Sequence, residues 1–251
     1  QGLDLFLLGF RRLRLLFQLH KGQAGQKNQR DCRQHVKRAV ERQPLRQHHT
    51  NQKRHREASH AEERLSRTQR TGIIVAAGNV TDEEVWNNYP DGNTQQSVHN
   101  PGQSWNSLTI GAYTEKVQIN DANYNNLPRV APSGGLSPYS STSVLWDKKW
   151  PIKPDVVFEG GNLLKREHDL TPYVDHDALE VLTTSKNIQF RKFETINATS
   201  AACALASNLA AEIAATYPDL WAESIRALIV HSAKWSDSML RQFHVTGRTN
   251  I

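Results

Sequence analysis

The sequence predicts an α/β fold built on a parallel sheet, and three observations carry that expectation. Short apolar runs without polar alternation recur at 73–77, 106–114 and 153–161, and each of the three holds or meets a glycine. Two helical patterns follow, over 199–216 and from 219 onward. Strands that stay apolar on both faces need a covering layer on each side, and helices supply it.

The first 70 residues do not share that texture. They hold 17 basic against 6 acidic residues, and large apolar side chains nearly vanish after Phe17. Such a segment buries too little surface to offset its ordering entropy, so residues 1–70 are expected to be disordered or irregular. The opening "LDLFLLGFRRLRLLFQLH" is apolar and Arg-bearing, features shared by targeting peptides and membrane-surface helices. It has no small-residue cleavage site, which argues against a targeting role. Basic charge prompts a nucleic-acid hypothesis, but no aromatic residue follows Phe17 within the segment. A solvated tail is the preferred reading over nucleic-acid binding. The composition also fits a shifted reading frame.

The rest of the chain has 14 basic and 19 acidic residues, so the net charge of +6 describes neither part. No run of about 18 apolar residues occurs, and no membrane partner is expected. The chain starts at Gln1 and its single methionine is Met239, which suggests a processed chain or a fragment. Two cysteines, Cys32 and Cys203, are too few for a disulfide scaffold and favour a reducing, cytoplasmic setting. Cys203 reads as a small buried hydrophobe.

From Thr71 the elements follow in order. "TGIIVAAGN" reads as a buried strand ended by a turn at Gly78-Asn79. "NSLTIGAYT" is a second strand, and "KPDVVFEGG" a third, with two glycines after it. The alanine-rich helix over 199–216 stops before Pro218. In the next helix Trp221, Ile225, Leu228 and Ile229 share one face. Residues 236–251 are polar and are expected to fray. The chain therefore divides into 1–70, 71–235 and 236–251.

Ser200 opens the alanine-rich helix, where unpaired N–H groups and the positive dipole end would stabilise an oxyanion. Small residues behind it let the helix sit centrally while its first turn faces a cleft. The bland alternative is that Thr199 or Ser200 is only an N-cap. Asn79 sits just past a buried strand, where α/β folds place ligand-binding groups. Its alternative is a turn asparagine that tolerates left-handed backbone.

Taken in order, "IIVAAGN", "NSLTIGAYT", "LSPYSSTS", "KPDVVFEGG" and "NATSAACALASNLAA" resemble the C-terminal half of the subtilisin-like serine peptidases, the subtilases. The resemblance covers about residues 71–235. It implies a subtilisin-like fold, incomplete on its N-terminal side. It makes Ser200 the nucleophile and Asn79 the oxyanion-hole donor, and it implies a polypeptide substrate. Lys153, Pro154 and Asp155 would belong to a structural strand. No cofactor is implied; calcium occurs in many relatives, but no site is readable. Some bacterial relatives act beside an AAA-type ATPase.

The chain departs from the family in several places. Ala198-Thr199-Ser200 stands where the family has Gly-Thr-Ser, and no proline follows the motif. Phe158-Glu159-Gly160-Gly161 replaces the usual Ala-Pro-Gly. The family's Asp and His come before the asparagine motif, and residues 1–70 contain no such motif despite six histidines. A serine without a base is a poor nucleophile, so the chain alone is expected to be nearly inactive. A half-sheet should also leave an open edge prone to aggregation. The rival reading is a non-catalytic pseudo-protease or a basic-armed binding module.

Other candidates carry less. The cluster at 166–180 includes His168, Asp169, Asp175, His176 and Asp177, but its spacing matches no metal-ligand pattern. His231 lies after Ser200, whereas the family's base lies before it. Asn79-Val-Thr81 and Asn197-Ala-Thr199 match the glycosylation acceptor pattern, and the peptidase reading expects neither to be used. Trp221 and Trp235 are expected to pack the two-helix cap, with Trp146 and Trp150 at a loop edge.

Overall fold

The computed structural model describes residues 72–166 and 172–243. The expected irregular segment 1–70 lies outside the described residues, as do His168 and Asp169.

The first apolar run forms β1, Ile74–Ala76. Two short helices follow, α1 at Glu83–Asn87 and α2 at Asp91–Thr94. Asp82 starts α1 by accepting the Glu84 N–H at 2.9 Å, an ordinary N-cap. The second run forms β2, Leu108–Thr114, and a two-residue strand, β3, follows at Gly135–Leu136. The third run forms β4, Val156–Glu159. Beyond it come β5 at Leu164–Lys165, β6 at Tyr173–Val174, β7 at Val181–Thr184 and β8 at Phe193–Ile196. Three helices complete the described chain: α3 at Ala198–Thr216, α4 at Ala222–Ser232 and α5 at Asp237–Phe243.

β2 is the centre of the main sheet. It pairs in parallel with β1, Ile74 beside Leu108, and with β4, Ile110 beside Val156. β3 joins antiparallel at Tyr113 and Thr114, so the sheet is mixed and not purely parallel. Because β1, β2 and β4 run the same way, their C-terminal ends share one edge of the layer. That edge is where α/β sheets bind ligands.

Both faces of β2 are covered, which explains its lack of polar alternation. Leu108, Ile110 and Ala112 meet Ala202, Ala206 and Ile213 of α3, together with Val156, Phe158 and Ile229. The alanines let α3 lie close across β1, β2 and β4. Thr109 and Gly111 face the other way. Thr109 Oγ1 donates to the Gly102 carbonyl at 2.7 Å, and a Cβ at Gly111 would lie 2.5 Å from Pro154. The motif "SPYSSTS" fastens this side: Ser140 Oγ accepts the Ala112 N–H at 3.0 Å, and Ser141 Oγ donates to the Ala77 carbonyl at 2.9 Å.

Two expectations are corrected. The polar end from residue 236 does not fray throughout, because α5 buries Ser238, Met239 and Phe243, and Met239 and Phe243 pack on Leu136. Gln242 also accepts the Leu136 N–H at 2.9 Å. Trp221 does not join the core face of the cap: it precedes α4 and is mostly exposed, and Ile225, Leu228 and Ile229 meet the core. Trp235 is half-exposed and rests edge-on against Phe243. No described helix is long and apolar enough to cross a membrane.

Candidate functional site

Gly78 and Asn79 follow β1 directly. Gly78 has φ of 108°, a left-handed conformation that suits glycine, and a Cβ there would fall 2.4 Å from the His99 ring. The turn swings Asn79 out at the C-terminal edge of the sheet. Its backbone bridges to Ser140, and the next N–H, of Val80, donates to the Tyr139 carbonyl at 2.8 Å.

Ser200 reaches the same edge from the other direction. β8 ends at Ile196, Asn197 is extended, and Ala198, the first residue of α3, takes a φ of 68°. Among the described residues Ala198 is the non-glycine residue with positive φ. Left-handed backbone costs an alanine about 1–2 kcal/mol, and such strain gathers where a site over-determines its geometry. The methyl that replaces the family's glycine therefore sits in a strained turn two residues before the serine. Gly160 makes room for that turn: its carbonyl accepts the Ala198 N–H at 2.7 Å, and a Cβ on it would fall 3.0 Å from the Ala198 carbonyl oxygen.

Asn79 and the serine turn meet through Thr199. Asn79 Oδ1 accepts the Thr199 backbone N–H at 3.0 Å and also the Thr199 hydroxyl. Two donors on one atom fix it as the amide oxygen. The Asn79 Nδ2 group therefore keeps both hydrogens, with no acceptor among the described residues. Thr199 is fully buried, Asn79 half-buried and Ser200 exposed. The first two N–H groups of α3 are engaged, by Gly160 and by Asn79. The Ser200 N–H and Oγ make no hydrogen bond among the described residues. The arrangement thus offers an exposed hydroxyl, its own N–H at a helix start, and a side-chain amide donor held to the adjacent residue. That set is suited to holding an oxyanion beside a nucleophile.

A polar network that the sequence did not reveal braces the turn from below. Asn197 Nδ2 lies 3.1 Å from Tyr139 Oη, 3.1 Å from Asp175 Oδ1 and 2.9 Å from Glu180 Oε1. Tyr139 donates to Asp175. Burial, followed by this bond to Asp175, raises the Tyr139 phenol well above its ordinary range. The residues come from three separate segments, and no spacing rule joins them.

The remaining candidates fall elsewhere. His176 caps the short 3₁₀ turn Asp177–Leu179, with Nδ1 accepting the Ala178 N–H at 3.1 Å. His231 is exposed in the last turn of α4. Among the described residues no three His, Cys, Asp or Glu side chains cluster as a metal set. Cys203 is half-buried, and burial pushes its thiol up to about 11, away from nucleophilic character.

Lys153 and Asp155 lie at the opposite, N-terminal end of the strands. Lys153 is 1% exposed; its Nζ donates to Asp155 Oδ2 at 2.6 Å and to the Ser107 carbonyl at 3.0 Å. Asp155 also accepts the Thr109 N–H at 2.7 Å and an Arg226 contact at 3.4 Å. Burial lowers the Lys153 pKa, and Asp155 opposes that shift. This cluster pins β2, β4 and α4 together.

The model of the Subtilase family matches residues 24–247 of the chain, starting well before residue 71, where the motif resemblance begins. No curated protein matches the chain.

Proposed function

The chain belongs to the subtilase family, and on that premise we propose that Ser200 is the nucleophile of a serine endopeptidase and that Asn79 and the Ser200 N–H hold the oxyanion. Serine peptidase chemistry on a polypeptide substrate is what the family performs. The residue assignment rests mainly on one observation. Both Thr199 donors converge on Asn79 Oδ1, and this leaves Nδ2 as an amide donor one residue from the serine.

In this reading Ser200 Oγ attacks the scissile carbonyl carbon. A histidine base takes the hydroxyl proton, and the carbonyl oxygen becomes an oxyanion between two N–H donors. Collapse expels the amine, which takes the proton from the base, and leaves an acyl group on Ser200. Water, activated by the same base, then releases the acid. The base and its orienting carboxylate are assigned outside the described residues on the family's order, which puts both before the asparagine motif. The chain as it stands should therefore hydrolyse peptides at close to background until an Asp- and His-bearing segment is supplied. A cytoplasmic setting, which the low cysteine count favours, and an AAA-type ATPase companion, which comes from the resemblance, belong to the same reading; it requires no cofactor.

A fluorophosphonate probe tests the assignment. With the upstream segment supplied, labelling is expected at Ser200, mapped by mass spectrometry, and absent in Ser200→Ala. Labelling at another residue, or none with the segment present, would favour the non-catalytic alternative.

A further inference from the structure

The hairpin of β7 and β8 leads straight into the serine turn and carries an unusual surface. Its register places Leu182 opposite Thr195 and Thr184 opposite Phe193, so Leu182 and Phe193 share one face. Leu182 is 68% exposed and Phe193 59%. At the tip Ile188 is 71% exposed and Phe190 90%. Four large apolar side chains stand exposed in this one hairpin, and exposed apolar surface of this kind marks interaction sites.

Charge narrows the choice of partner. From Val181 to Ile196 the hairpin holds Lys186, Arg191 and Lys192 and a single carboxylate, Glu194. Arg191 meets Glu194 at 3.2 Å, whereas Lys186 and Lys192 make no ion pair among the described residues. The two strands pair with each other and, among the described residues, with no third strand. An open edge of this kind accepts an added extended segment through its backbone.

The hairpin is also held in place relative to the serine. Thr195 Oγ1 donates to Asp177 Oδ1 at 2.9 Å, and Asn197 Nδ2 donates to Glu180 Oε1 at 2.9 Å. Phe193 precedes Ser200 by seven residues, so the two lie no more than about 25 Å apart. An extended substrate of roughly eight residues would span that distance.

We propose that the β7–β8 hairpin is a docking site for extended polypeptide segments in which carboxylates accompany large apolar side chains. The proposal deepens the peptidase reading by naming a substrate class for the same site. Alternation along an extended chain would place apolar side chains on Leu182 and Phe193, while neighbouring carboxylates reach Lys186 and Lys192. Docking there would raise the local concentration of such a segment at Ser200.

The test uses the full chain carrying Ser200→Ala, so that binding is read without cleavage. Fluorescence anisotropy follows a short labelled peptide alternating Glu and Leu, with a Lys and Leu peptide as comparison. The acidic peptide should bind more tightly. The pair Ile188→Ser and Phe190→Ser should weaken it about tenfold or more, as expected for two lost apolar contacts. The pair Lys186→Glu and Lys192→Glu should weaken it too, and reverse the preference between the peptides. All four side chains project to solvent or carry surface charge, so the fold should persist. An unchanged Kd in both variants would assign the binding to the basic segment 1–70 and overturn the proposal. Equal binding of both peptides would overturn it too. So would hairpin-dependent binding of vesicles rich in anionic lipid, with peptide binding unaffected by the variants. Hairpin-dependent peptide binding without Ser200 labelling would leave docking intact and remove the peptidase reading; the opposite pair of results would do the reverse.

Discussion

The two ends of the central sheet hold polar clusters of opposite design. At the N-terminal ends of β2 and β4, Lys153 is sealed against Asp155 and the Ser107 carbonyl, with Thr109 and Arg226 completing the carboxylate. Its ammonium has a partner for its charge and no path to solvent. At the C-terminal ends, Asn79 and the Ser200 turn are tied together through one oxygen, while an amide donor, an N–H and a hydroxyl stay unclaimed among the described residues. Buried polar groups are normally satisfied. A closed network therefore marks an architectural pin, and donors left over at an open edge mark a place for a ligand. Both clusters join segments far apart in sequence, so long-range contact alone does not separate structure from chemistry.

Breaking the closed end should give the largest change in stability. Lys153→Met removes the cation from a buried pair and is expected to cost about 3 kcal/mol in chemical denaturation. Arg226 and Thr109 still attend Asp155, which keeps the loss at the lower end for such pairs. Peptide binding at the hairpin should be unaffected in the folded fraction. A neutral result for Lys153→Met would mean that the pin is dispensable and that the contrast between the two ends is weaker than drawn.

The open end should respond in the other direction. Ala198→Gly relieves left-handed backbone worth about 1–2 kcal/mol, offset by the freedom glycine gains when unfolded, about 0.4–1 kcal/mol. A net stabilisation of about 0.5 kcal/mol is expected from thermal or denaturant melts. Destabilisation instead would show that the buried Ala198 methyl, which packs with Tyr139, Leu163 and Tyr173, outweighs the strain.

Much of this contrast was legible in the sequence. The three apolar runs and the two long helices follow from local pattern, and the strand-end positions of Asn79 and Ser200 follow from the motifs. The antiparallel addition of β3 was not legible, because two residues carry no periodicity. The terminal helix α5 was missed because "DSMLRQF" is mostly polar, and its burial depends on Leu136, about a hundred residues away. Trp221 was misplaced because helical spacing was extended one position beyond the helix. The Asn197 brace was invisible for a different reason. Its acceptors, Tyr139, Asp175 and Glu180, come together only in three dimensions. The left-handed Ala198 turn was hidden too, since the sequence shows a residue substituted and not the φ it must adopt.

The most direct measurement on the open end is Asn79→Asp, compared with the parent chain after the upstream segment is supplied. Aspartate keeps the oxygen that accepts both Thr199 donors and removes the Nδ2 hydrogens. Stability should be nearly unchanged, while peptide hydrolysis falls by about 10²–10³, the size known from subtilisin's own amide donor. Hydrolysis at the parent rate would show that Nδ2 holds no oxyanion and would contradict the assignment of this edge as the catalytic one.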